Sequence, residues 1–171
     1  MSKHLDDDLT QSRLSRYHKL EPDVKTYLFN LLSTHNPNLL PKYSTTDVPY
    51  TKLDLLDLLH DGEILCKLGQ LLTNIPSNPT TKYKSSSMPF IQMENINNFL
   101  LLCKIIKVPE DEIFQTIDLF EKKDPYSICI CLMSFSRIVN NLEPQVFNEV
   151  IGPKKVKIKP VVPNKPRNLK G

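Results

Sequence analysis

The stretch LLHDGEILCKLGQLL, residues 58–72, decides the fold. Asp61-Gly62 breaks an apolar run that begins at Leu53, and beyond the break Ile64, Leu65, Leu68, Leu71 and Leu72 recur at the spacing of one helical face. Asp61 is a residue type that caps helix N-termini, since a short carboxylate accepts from the unpaired N–H groups of a first turn. The pattern predicts a short apolar segment, a sharp break and a second helix.

The same periodicity extends in both directions. Residues 22–35 (PDVKTYLFNLLSTH) place Val24, Tyr27, Leu28, Leu31 and Leu32 in one stripe, with Pro22 as the expected helix start and Asn36-Pro37 as the stop. Downstream, residues 94–107 align Ile96, Phe99, Leu100, Cys103 and Ile106, and Pro109 ends the run. A shorter helix is expected over 110–120 with Ile113, Ile117 and Phe120 inward. The last begins at Asp124-Pro125, with Asp124 as an acidic cap, and carries Ile128, Cys131, Leu132, Phe135, Ile138 and Val139 to about Asn141. No run alternates as a strand does. The expected fold class is all-α, with four main helices and two or three short ones. The connections at 36–50 and 74–93 exceed the usual length, so they either carry function or wrap the helices with local turns.

At 171 residues, 40% hydrophobic and 24% charged, the composition excludes wholesale disorder and collagen-like structure. The most apolar run, Phe99 to Ile106, is interrupted by Lys104 and falls far short of the roughly 20 residues of a membrane span. The opening MSKHLDDDLTQSRLSR has no apolar core of a signal peptide. Cys66, Cys103, Cys129 and Cys131 all lie within apolar helical patterns and read as buried free thiols of a reducing compartment. The expected location is the cytoplasm.

The net charge of +3 conceals a division. Between Gly152 and Gly171 stand seven basic residues and no acid, leaving 15 basic against 19 acidic residues before them. Four of the 14 prolines fall in the same segment, and proline at that density favours an extended chain over helix or ladder. The division expected is an N-terminal extension over 1–19, a helical domain over 20–142 and a basic, Pro-rich tail over 143–171.

At this point the residues carry a resemblance. LLHDGEILCKLGQLL, followed over residues 84–139 by KSSSMPFIQMENINNFLLLCKIIKVPEDEIFQTIDLFEKKDPYSICICLMSFSRIV, resembles a calponin-homology domain of the calponin and transgelin type, and the likeness covers about residues 20–142. Tyr27 stands where the family usually has Trp in its first helix, and the chain contains no Trp. No calponin-type repeat follows the domain, so the shorter transgelin-like, fungal form is the better fit.

What the resemblance implies is actin-filament binding, with bundling in transgelin-like proteins, and a cytoskeletal location such as cortical patches or a contractile ring. It also implies that adjoining basic sequence supplies much of the affinity. Lys154, Lys155, Lys157 and Lys159 are the leading candidates, supported by Lys165, Arg167 and Lys170. Many weak, salt-screened ion pairs on an acidic filament would be the physical basis. Val156, Ile158, Val161 and Val162, interleaved with these charges, could dock on actin or fold back onto the domain. Bundling by a monomer needs a second contact, for which Lys82, Lys84, Lys122 and Lys123 are candidates, against the reading of ordinary solvated lysines. At about 3 Å per residue the extended tail would reach about 60 Å, enough to touch another actin subunit.

Other chemistry finds little support. Cys129 and Cys131 point about 200° apart on a helix and cannot share a metal, and none of the four histidines has ligand spacing to them. Asp6, Asp7 and Asp8 lack the alternation of a calcium loop and read as a solvated, mobile N-terminus. No phosphate-cradling, nucleophile-elbow or zinc-protease motif is present, so neither catalysis, a cofactor nor a metal is expected. Ser85, Ser86 and Ser87 are candidate phosphorylation sites. The rival reading is an adaptor module whose domain binds another protein while the basic tail reads membrane lipid or nucleic acid; Pro160 to Pro163 form a P-x-x-P ligand that could recruit a partner without excluding actin. Nucleic acid is not an expected partner, although a basic tail alone would permit one; other actin-binding proteins are.

Overall fold

The computed structural model describes residues 2–152. Among them the regular elements are six α-helices and four 3-10 turns, with no strand. The helices are α1 (Ser2–His35), α2 (Leu55–Leu59), α3 (Glu63–Gly69), α4 (Pro89–Ile105), α5 (Thr116–Phe120) and α6 (Pro125–Leu142). α6 lies along α1 and α3 lies along α4, while α5 bridges α4 and α6. The core is the sum of the stripes read from sequence: Val24, Tyr27, Leu28 and Leu32 from α1, Ile96, Phe99 and Cys103 from α4, and Ile128, Leu132, Phe135 and Val139 from α6 are all buried. Among the described residues, no helix is long and apolar enough to cross a membrane.

The N-terminal expectation is corrected. α1 does not start at Pro22 but runs through it, and residues 5–16 are helical and largely exposed. Asp6 to Asp8 are therefore solvated but helical, not irregular. Distant partners hold the first half of the helix. The Arg13 guanidinium makes paired bonds of 2.8 Å to the two oxygens of Asp124 and lies over the Tyr126 ring. Tyr17 is buried and donates to Asp54 Oδ1 at 2.9 Å, and one turn later the Glu21 carboxylate accepts from Leu55 N at 2.8 Å. Pro22 lies on the exposed face, where water can serve the carbonyl its missing N–H leaves unpaired.

Caps also depart from expectation. Asp124 precedes α6 but its side chain does not cap it, because the carboxylate is engaged by Arg13. Asp61 works one residue early: its Oδ1 accepts from Glu63 N at 2.9 Å across Gly62, whose φ of +76° makes the sharp turn between α2 and α3. The expected helix over 110–120 is instead a 3-10 turn (Glu110–Glu112), an extended link and α5. Phe114 and Leu119 are buried while Ile117 is 40% exposed, because the extended backbone at Ile113 and Gln115 resets the helical phase.

The long connections wrap the helices. Leu39 and Leu40 tuck into the core, and Asn78 ties the second loop down by donating to the Gly69 carbonyl at 3.0 Å and accepting from Thr80 N. The body also continues past α6. Phe147 is buried edge-on against Phe135, Asn140 Nδ2 donates to the Phe147 carbonyl at 2.7 Å, and Ile151 N donates to Ser136 Oγ at 3.0 Å. Packing thus extends beyond both 20 and 142, to Tyr17 and Ile151.

All four cysteines are free and buried. Burial pushes the Cys66 and Cys129 thiols up to about 12, and raises Cys103, which lies 3.9 Å from Cys131. With a thiol pKa of about 12 the thiolate fraction at pH 8 is on the order of 1 in 10,000. Because all four thiols are buried, the native chain is expected to be silent toward an aromatic disulfide reagent over minutes and to release all four thiols in denaturant. A fast-reacting thiol in the native state would contradict this burial.

Candidate functional site

The first candidate pair, Lys82 and Lys84, is displayed by a framework built around a buried amide. Asn95 of α4 donates through Nδ2 to the carbonyls of Asp61 at 3.1 Å and Lys84 at 2.7 Å, and its Oδ1 accepts from Lys84 N at 3.0 Å. Its own carbonyl lies 3.2 Å from Cys66 Sγ. The Asn95 side chain thus joins the α2–α3 turn, α4 and the backbone of Lys84, and its carbonyl adds a contact to α3. Such a fully used buried amide fixes geometry because any unmade bond would be costly there. Lys82 ends the turn Pro79–Lys82, and both lysine side chains are exposed.

Beside this pair lies a polar cluster. Tyr43 Oη donates to the Asp61 carboxylate at 3.0 Å, and Lys42 Nζ meets the buried Glu63 carboxylate at 3.1 Å. Burial raises Asp61 above the ordinary carboxylate range, opposed by the Glu63 N–H and the Tyr43 hydroxyl, while the bond to Glu63 raises Lys42. Lys67 stands 4.7 Å over the Tyr83 ring. Lys67 therefore adds a cation near Lys82 and Lys84, while the charge of Lys42 is offset by Glu63; sequence reading missed Lys67 because it sits in an apolar helical context that reads as scaffold.

The second pair has a different support. Lys122 follows α5 with a φ of +55° and bonds Asp57 at 2.6 Å, and Lys123 meets Glu121 at 3.5 Å. Each charge is offset locally, which weakens this pair as an anchor relative to Lys82 and Lys84. Lys154, Lys155, Lys157, Lys159, Lys165, Arg167 and Lys170 lie outside the described residues.

Ser85 and Ser87 are exposed, and Ser86 is half-buried with its Oγ accepting from Met88 N at 3.0 Å ahead of α4. A phosphate there would meet a helix N-terminus, which favours negative charge. The α4 surface also exposes Phe90, Leu101 and Ile105. No cluster of His, Cys, Asp or Glu able to hold a metal occurs among the described residues.

Comparison with known proteins places this geometry in a lineage. The family model for the calponin homology (CH) domain matches residues 38–141. The chain is 45% identical over 120 residues to a Saccharomyces cerevisiae protein named Transgelin, covering 68% of this chain and 60% of that one. It is 40% identical over 114 residues to Schizosaccharomyces pombe Transgelin, covering 65% and 62%. Muscle-specific protein 20 of Drosophila melanogaster is 42% identical over 81 residues, 47% of this chain and 42% of its own. The match spans about three fifths of the length of the two yeast relatives.

Proposed function

Because the chain belongs to the calponin-homology family, of the calponin and transgelin type, we propose that it binds actin filaments and cross-links them as a monomer with two contacts. The observation that carries this is the juxtaposition of a matched domain over 38–141 with seven cations and no acid over 152–171. One contact is the basic segment, led by Lys154, Lys155, Lys157 and Lys159. The other is the body surface around Lys82 and Lys84. No catalytic role is assigned, and the setting is the cytoplasmic actin cytoskeleton, in cortical patches or a contractile ring.

Co-sedimentation with filaments tests it, comparing residues 1–171 with 1–152 at low and high centrifugal speed and two salt concentrations. The full chain should pellet with filaments and form bundles that sediment at low speed. Removal of 153–171 should abolish bundling while leaving weaker, salt-sensitive binding, since exposed ion pairs are screened beyond about 10 Å at 0.1 M salt. Equal loss of binding and bundling would defeat the two-contact arrangement. The exposed Phe90, Leu101 and Ile105 favour a second reading, an adaptor that docks another protein on α4. Absence of pelleting by the full chain at low salt would select it.

A further inference from the structure

Tyr27 presents an anomaly. Its side chain is 3% exposed, yet its hydroxyl has no hydrogen-bond partner among the described residues. A buried phenol normally finds one, because an unmade bond forfeits solvation with no return. Burial and the nearby Glu149 carboxylate raise its pKa, so it stays neutral, with one proton to give and lone pairs to accept.

Tyr27 lines a groove of about 600 Å³ between α1 and the segment after α6, together with Asp23, Thr26, Asn30, Glu149 and Gly152 among others. The groove continues along α1 toward Thr34, still bordered by Tyr27, Asn30 and Glu149. Asp23 and Glu149 are exposed carboxylates outside the ion pairs of the described residues, and Asn30 Nδ2 approaches Glu149 Oε1 at 3.4 Å. No Lys or Arg lines the part beside Gly152. The site is acidic and elongated, and it is bordered by the residue whose buried hydroxyl is orphaned.

We infer that this groove seats the chain's own basic segment, residues 154–159 (KKVKIK), with Lys154 and Lys155 entering it. Three observations select that occupant. The described chain ends at Gly152, a lining residue whose φ of +84° turns the backbone beside the groove. At about 3.3 Å per residue the next two or three positions stay within reach of Asp23 and Glu149. The charges are complementary: two carboxylates face a segment whose six residues include four lysines and no acid. The seated chain would pass over Tyr27, where a small shift of that side chain would let its buried hydroxyl donate to a backbone carbonyl. Docking does not depend on actin. Its consequence, that seated lysines are withheld from a filament until released, rests on the proposed filament contact.

Lysine acylation of the full chain tests the docking directly, with rates read site by site by mass spectrometry in dilute protein at low salt. Lys154 and Lys155 are expected to react about fivefold more slowly than Lys165 and Lys170 of the same molecule, which corresponds to a seated fraction of about 80%. Salt at about 0.5 M, where screening is short-ranged, should bring the rates together, and so should the surface double variant Asp23→Asn/Glu149→Gln. Equal rates in the unmodified chain at low salt would overturn the inference. Protection that strengthens with protein concentration would also overturn it, by placing a second copy's segment in the groove. Neither outcome bears on whether filaments pellet with the chain.

Discussion

Gly62→Ala is expected to destabilise the fold by about 3 kcal/mol, seen as a lower urea midpoint with unchanged slope and a melting temperature lower by about 10 °C. Two costs add at this position. The φ of +76° is left-handed, which costs a residue with a Cβ about 1 kcal/mol. A Cβ would also stand 2.6 Å from Asn95 Cβ and 2.8 Å from Ile96 N. Those atoms belong to α4, and Asn95 is held on three sides, so relief would have to break its bonds to Asp61 or Lys84. Gly152→Ala supplies the control: its φ is also left-handed, but an added Cβ meets nothing within 4 Å. The control should lose about 1 kcal/mol at most, and the difference isolates the steric part. A Gly62 variant within 1 kcal/mol of the parent would show that α3 and α4 can separate locally.

Where burial follows a single long helix, the sequence disclosed it. α6 buries Ile128, Cys131, Leu132, Phe135 and Val139 as their spacing implies, and the resemblance carried by residues 58–72 and 84–139 agrees with the matched family. Where order depends on remote side chains, it did not. Pro22 at a helix start and Pro22 on the open face of a continuing helix look alike locally, and the difference is made by Arg13 reaching Asp124, 111 positions away. The stretch 110–120 misleads because five helical residues are too few to establish a phase after an extended link. The framework that displays Lys84 is invisible for the same reason, since nothing in the sequence says that Asn95 bonds its backbone. Nor could any pattern disclose that the hydroxyl of Tyr27, an evident core aromatic, is left without a partner.

Phe147→Ala is expected to cost about 3 to 4 kcal/mol, measured by denaturant unfolding, which places a residue beyond the last helix among the strongest contributors to the core. The ring is wholly buried, edge-on to Phe135 at 6.2 Å between centroids, and Phe135 in turn packs on Phe99 at 5.2 Å. Truncation to Ala leaves a cavity on the α6 side that helices fixed at both ends cannot close. Ending the chain at residue 142 should cost more, because it also removes Ile151 together with the acceptor of Asn140 Nδ2 and one of the two partners of Ser136 Oγ. Against a total stability of about 5 to 15 kcal/mol, residues 1–142 should be partly unfolded or melt far below residues 1–152. If 1–142 and 1–152 instead melt together, the segment after α6 is not part of the body. The outcome governs how filament experiments are to be interpreted: loss of binding on cutting at 142 would report damage to the domain, whereas cutting at 152 keeps Phe147 and Ile151 in place and removes only the basic segment. A stable 1–152 that no longer bundles filaments would then trace the loss to the segment after residue 152 and not to damage of the domain.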